Sequence, residues 1–118
     1  MPDAGFPVEI KDGLPVVTTP EEVDITNAAR LRGVLLEAGA GYQGTLVVDM
    51  SRTQFCDTAG IHALVSAHKR AQSEDGELRL VIATPTVKRI FTITGLDSVI
   101  SYYGSLDEAL AEGAPEAG

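Results

Sequence analysis

Cysteine and tryptophan are nearly absent from this 118-residue chain and basic residues are outnumbered: one Cys, no Trp, and nine Lys and Arg against seventeen Asp and Glu, for a formal charge of −8. A single Cys56 cannot close an internal disulfide, and no paired Cys and His suggest a structural zinc site. The shortage of Lys and Arg argues against a nucleic-acid binder, because phosphate backbones need clustered cations. It argues equally against docking on an anionic membrane leaflet. Apolar runs are only a few residues long, where a membrane-spanning helix needs about 20. The opening MPDAGFPVEI has no basic stretch followed by an apolar core, so no signal peptide and a cytoplasmic location are expected. What is present, 44 % hydrophobic and 22 % charged residues, is the composition of an ordinary soluble globule. The length suits one domain that buries about 65 % of its unfolded surface.

The chain then divides into elements. Phe6 to Lys11 alternates apolar and polar residues, Asp12-Gly13 is a hairpin turn signal, and Leu14 to Thr18 resumes as a β-branched strand. Ala28, Leu31, Leu35 and Ala38 recur at helical spacing, with Asp24 or Thr26 as the expected N-cap and Gly39 and Gly41 as the stop. Gly44 to Met50 is nearly all apolar, which suits a strand covered on both faces. Ser51 to Asp57 reads as a loop and Thr58 to Glu74 as a helix with Ile61, Leu64, Val65, His68 and Ala71 on one stripe. Leu78 to Ala83 is a further buried strand. Thr84-Pro85 opens a helix over Val87 to Thr94, which Gly95 ends. Val99 to Tyr103 is a last strand, and Ser105 to Glu108 resembles a capping box at the start of a final helix. The order β-β-α-β-α-β-α-β-α predicts an α/β fold: an N-terminal hairpin, then alternating strands and helices, giving a mixed sheet packed with about four helices. A single domain over residues 1–112 is expected, with a frayed tail over 113–118.

Three places look reactive. The joint between the central strand and the second helix, Asp49 to Gly60, ends a strand on an Asp and starts a helix with Asp57-Thr58-Ala59-Gly60. Functional groups in open α/β sheets gather at the carboxyl ends of strands. A hydroxyl at a helix start is a favourable phosphoryl acceptor, because helix N–H groups meet the added charge, and Gly60 leaves room for a partner to approach. The plain alternative is that Asp57 or Thr58 only caps the helix. Cys56, beside Phe55, is placed as a small core hydrophobe rather than a nucleophile, which would need a base. His62 and His68 lie six residues apart, off a shared helix face and without ligand spacing. Asp49 could be a phosphoacceptor of the receiver type, but no adjacent carboxylates follow the first two strands to hold the metal that chemistry needs. No catalytic residues, cofactor or metal are expected.

The stretch Asp49-Met50-Ser51, then Phe55-Cys56-Asp57-Thr58-Ala59-Gly60-Ile61, resembles the signature of STAS domains of the anti-sigma factor antagonist group. Glu22-Val23-Asp24 is similar to that family's segment after its hairpin. Val87 to Asp97 is similar to its late helix-to-strand piece, and Ser105 to Leu110 to its final helix start. The resemblance implies a STAS fold over nearly the whole chain. It implies a bacterial regulator of transcription in which Thr58 is phosphorylated by an anti-sigma factor that is also a serine/threonine kinase. The unphosphorylated form binds that partner and frees a sigma factor, and a PP2C-type phosphatase restores it. Asp24, Ser51, Asp57 and Gly60 carry over as partner contacts beside Thr58. Two positions depart from the family pattern: Thr58 stands where Ser is frequent, its β-branching restricting χ1, and Glu21 stands where Gly is common. A STAS scaffold or sensor subunit of a larger signalling or lipid-transport assembly, which never cycles, is the alternative. A phosphate on Thr58 is expected to act through its charge, amid Asp24, Asp49 and Asp57.

Overall fold

The alternating stretch at the start of the chain forms the expected hairpin. In the computed structural model, which describes residues 5–111, β1 (Val8–Lys11) and β2 (Leu14–Thr18) pair antiparallel. Asp12 and Gly13 between them have φ of 52° and 82°. Positive φ at both central residues is what a two-residue turn needs to match the twist of its strands.

From β2 the sheet grows in parallel. β4 (Leu46–Asp49) lies beside β2, β6 (Leu78–Val81) beside β4, and β7 (Ser101–Tyr103) beside β6, giving the order β1-β2-β4-β6-β7. The helices α1 (Ala28–Gly39), α2 (Thr58–Ser73) and α3 (Pro85–Thr94) cover one face, where Leu31, Leu35, Leu64 and Phe91 pack with Val17, Val48 and Leu80. The short α4 (Leu106–Ala111) covers the other, where Ala109 and Leu110 meet Leu14, Val16, Val47 and Val81. Alternate residues of β4 thus enter opposite cores, and this is why its sequence is apolar without alternation. Arg79 is buried on the α4 face and its charge is matched: its Nε pairs with Glu77 at 3.0 Å and one terminal nitrogen donates to the Ala109 carbonyl at 3.1 Å. Ser105 and Glu108 meet at the start of α4, the Glu108 N–H donating to Ser105 Oγ.

Several boundaries differ from the sequence reading. Asp24 and Thr26 do not cap α1; Asn27 holds the N-cap position. α3 begins at Pro85, and Val99 lies outside β7, which starts at Ser101. Two segments read as connectors pair instead: β3 (Glu22–Val23) and β5 (Phe55–Cys56) form a second, parallel sheet of two strands. The expected tail over 113–118 lies outside the described residues.

Candidate partner-binding site

The two-stranded annex is what assembles the site. Its register sets Glu22 beside Phe55 and Val23 beside Cys56, and the Asp57 N–H donates to the Val23 carbonyl at 3.0 Å. Side chains alternate along each strand. Val23 and Cys56 point inward and are buried, while Glu22, Phe55 and the following Asp24 and Asp57 keep contact with solvent. Asp24 and Asp57 therefore leave the ends of neighbouring strands, about 5 Å apart in the backbone.

Each aspartate is tied down by its own turn. The Asp24 carboxylate accepts from the Thr26 N–H at 2.9 Å and from the Thr26 hydroxyl. The Thr26 hydroxyl is the main reason its carboxyl is held below the usual range, the Thr26 N–H adding to it. Asn27 braces the same turn from both sides, accepting from the Asp24 N–H and donating to the Glu22 carbonyl, each at 2.9 Å. This turn holds Ile25 in the open, 80 % exposed. Asp57 caps α2: one carboxylate oxygen accepts from the Ala59 N–H at 2.9 Å and the Gly60 N–H at 3.2 Å, and the Asp57 carbonyl accepts from Ile61. Thr58 follows it, exposed on the first turn.

This corrects one expectation. The α2 donors expected to receive a phosphate already serve Asp57 at Ala59 and Gly60, so added charge on Thr58 meets a carboxylate there more than open N–H groups.

The other predicted residues serve the fold around this trio. Asp49 belongs to the large sheet, where its carboxylate accepts from the Ser51 N–H at 3.0 Å. It orders the start of the 51–54 loop, and Ser51 is half-buried there. Gly60 is buried, and a Cβ on it would stand 2.7 Å from both Cys56 Sγ and Val23 Cγ1. The missing side chain makes room for the annex against α2, not for a partner above it. Cys56 is buried in that contact. Burial first, then the nearby Asp57 charge, pushes its thiol up to about 12, so it is neutral at physiological pH. His62 is exposed, and burial holds the half-buried His68 imidazole below its ordinary range. Among the described residues no three His, Cys, Asp or Glu side chains are grouped to hold a metal ion.

The sequence profile of the STAS domain matches residues 6–109. The chain belongs to the STAS domain family. This STAS domain is 34 % identical over 94 residues to a Mycobacterium tuberculosis protein named as an anti-anti-sigma factor, covering 78 % of this chain and 64 % of that one, just under two thirds of its length. Its fold matches the crystal structure of an anti-sigma factor antagonist from Thermotoga maritima with a TM-score of 0.83 and 25 % identity, over 91 % of this chain and 92 % of that one. An anti-sigma factor antagonist from Mycobacterium paratuberculosis matches with a TM-score of 0.81 and 30 % identity, over 91 % of each chain.

Sequence reasoning missed two members of the STAS domain's exposed face. Ile25, beside Asp24, and Phe55, 45 % exposed, are large apolar side chains left in water next to the aspartate pair. Their placement beside the two aspartates makes them candidates for partner contact. The signal was there in the out-in-out pattern of Glu22-Val23-Asp24 and Phe55-Cys56-Asp57, which is too short for periodicity alone to resolve.

Proposed function

We propose that this STAS domain is an anti-sigma factor antagonist, and that the face built from Asp24, Ile25, Phe55, Asp57 and Thr58 binds a kinase-type anti-sigma factor. The observation that carries the reading is the exposed Thr58 hydroxyl-bearing side chain on the first turn of α2, next to the capping carboxylate of Asp57. In the unphosphorylated form, Ile25 and Phe55 supply apolar anchors and the two aspartates fix orientation. Binding to the kinase frees the sigma factor. The kinase then transfers the γ-phosphoryl group of ATP to Thr58 Oγ1; the new P–O bond forms as the bond to ADP breaks, and the hydroxyl proton passes to a base on the kinase. The phosphate adds about −1.5 to −2 charge beside Asp57, whose cap already occupies two of the first donors of α2. Like charges held at an interface cost several kcal/mol, and each 1.4 kcal/mol is about tenfold in affinity. A PP2C-type phosphatase removes the phosphate by hydrolysis and resets the switch.

Incubation with the kinase-type anti-sigma factor of its own host and ATP, followed by intact-mass and fragment analysis, tests the reading. One phosphoryl group on Thr58 is the expected result. Thr58→Ala is expected to bind the kinase as tightly as the unmodified chain and to remain unmodified. Thr58→Asp is expected to bind at least about tenfold more weakly. Phosphate on another residue, or tight binding by Thr58→Asp, overturns the switch.

A further inference from the structure

β1 is the end strand of the large sheet, and no described strand pairs with its outer side. The Thr18 N–H donates to the Pro7 carbonyl, which fixes the alternation: Pro7, Glu9 and Lys11 turn their backbone groups toward β2, and Val8 and Ile10 turn theirs outward. Pro15, opposite Ile10, has no N–H to give and agrees with that pattern. Val8 and Ile10 are 46 % and 57 % exposed. Their side chains lie on the α1 face, lining with Pro15, Val34, Ala38 and Tyr42 a groove of about 520 Å³. Glu9 and Lys11 lie on the opposite face of the strand.

A row of outward backbone groups is a template for another strand, and the charges of β1 decide which strand fits. Consider a second β1 running antiparallel about a twofold axis. Outward residues must meet outward residues, so the axis can fall at Val8, Glu9, Ile10 or Lys11, and only axes at Glu9 and Ile10 keep three residues of each β1 paired. Centring on Glu9 sets Glu9 against Glu9 of the second copy, and centring on Lys11 sets Lys11 against Lys11. Centring on Ile10 sets Glu9 against Lys11 twice and Ile10 against itself. Opposite charges across a strand pair attract and like charges repel.

We propose that β1 pairs with β1 of a second copy of this chain, antiparallel about a twofold axis at Ile10, joining two five-stranded sheets into one. The two Ile10 residues exchange N–H to C=O hydrogen bonds across the axis. The two Ile10 side chains cover one another between the mouths of the two grooves, Val8 lies diagonal to Ile10 and opposite Asp12 of the second copy, and two Glu9–Lys11 pairs close the other face. The contact is isologous and closes at two copies. It shares no residue with the Asp24–Asp57–Thr58 face, so it stands or falls separately from the proposed switch.

Sedimentation velocity of the full chain, from about 10 µM to about 1 mM at an ionic strength where the two −8 charges are screened beyond about 8 Å, tests it. A monomer–dimer equilibrium is expected. Glu9→Lys is expected to weaken it at least about tenfold by setting Lys against Lys11, and Glu9→Lys with Lys11→Glu to restore it within about threefold. Both side chains are exposed, and unchanged circular dichroism checks that each variant folds. The Ile10 amide is expected to gain hydrogen-exchange protection with protein concentration. A chain that stays monomeric throughout, or a dimer indifferent to Glu9→Lys, overturns the proposal.

Discussion

The large sheet and the two-stranded annex hold their strands by different means. In the large sheet, β4 has a helical layer over each face, and its apolar side chains enter two cores. In the annex each strand has two residues. One residue per strand is buried, and the rest of the grip comes from polar bonds. The Thr53 hydroxyl donates to the Pro20 carbonyl and lies 2.6 Å from the Thr19 hydroxyl. The Gln54 and Phe55 N–H groups donate to the Glu21 carbonyl. Burial makes the centre of the large sheet strong but leaves little of β4 and β6 to show a partner. The annex gives up burial on its outer face and gains a place to display Ile25, Phe55, Asp24 and Asp57. Fold stability and the proposed recognition face thus fall on different strands.

The contrast can be broken by substitution. Leu80→Ala empties a fully buried site between helices and sheet and is expected to cost about 3 kcal/mol of global stability, within the usual range for such cavities. Denaturant unfolding reads this directly. Gly60→Ala forces a methyl group onto Cys56 and Val23, at about 1–3 kcal/mol by overpacking, and its effect is expected to concentrate in the annex. Alkylation of Cys56 measures that. The native thiol is expected to react slowly, because it is buried and its pKa stands at about 12, and Gly60→Ala is expected to speed the reaction more than Leu80→Ala does relative to global stability lost. Equal ratios would make the two regions one cooperative unit. The same thiol sets a pH trend. Its folded pKa lies above the ordinary value, so its contribution to stability is full below about pH 8.5 and declines as pH climbs toward about 12.

The smallest expected effect is at Asp24. Its carboxyl is held low first by the Thr26 hydroxyl and then by the Thr26 N–H. A depressed folded pKa gives a contribution that is present above the ordinary carboxyl range and lost as pH falls through the folded value. Thr26→Val, which removes the hydroxyl and keeps the N–H, is expected to raise the Asp24 midpoint in an NMR titration with little change in stability. An unmoved midpoint would mean that the backbone N–H alone orders the turn.

Much of this was legible in the residues. The hairpin, the doubly covered β4 and β6, the cap at Asp57 and the burial of Cys56 follow from alternation, apolar runs and cap chemistry. Those signals are strong because several residues repeat them. The annex was hidden because two residues cannot display a period, and its pairing joins segments more than thirty positions apart. Asp24 was misread as a cap because the same side chain serves an Asx turn with Thr26 equally well, and the bracing by Asn27 favours the turn. Gly60 was read as open to a partner because sequence shows that a side chain is missing, not which side the space lies on. Asp49 was grouped with Asp24 and Asp57, although it ends a strand of the other sheet.

Asp57 is held on three sides: its N–H by Val23, its carbonyl by Ile61, and its carboxylate by Ala59 and Gly60. Its neighbour Thr58 therefore stands at a fixed address. A mark written there does not have to be relayed through a moving segment. Under the proposed switch, the time for the protein to change its message is set by the enzymes that add or remove the phosphate and by partner dissociation.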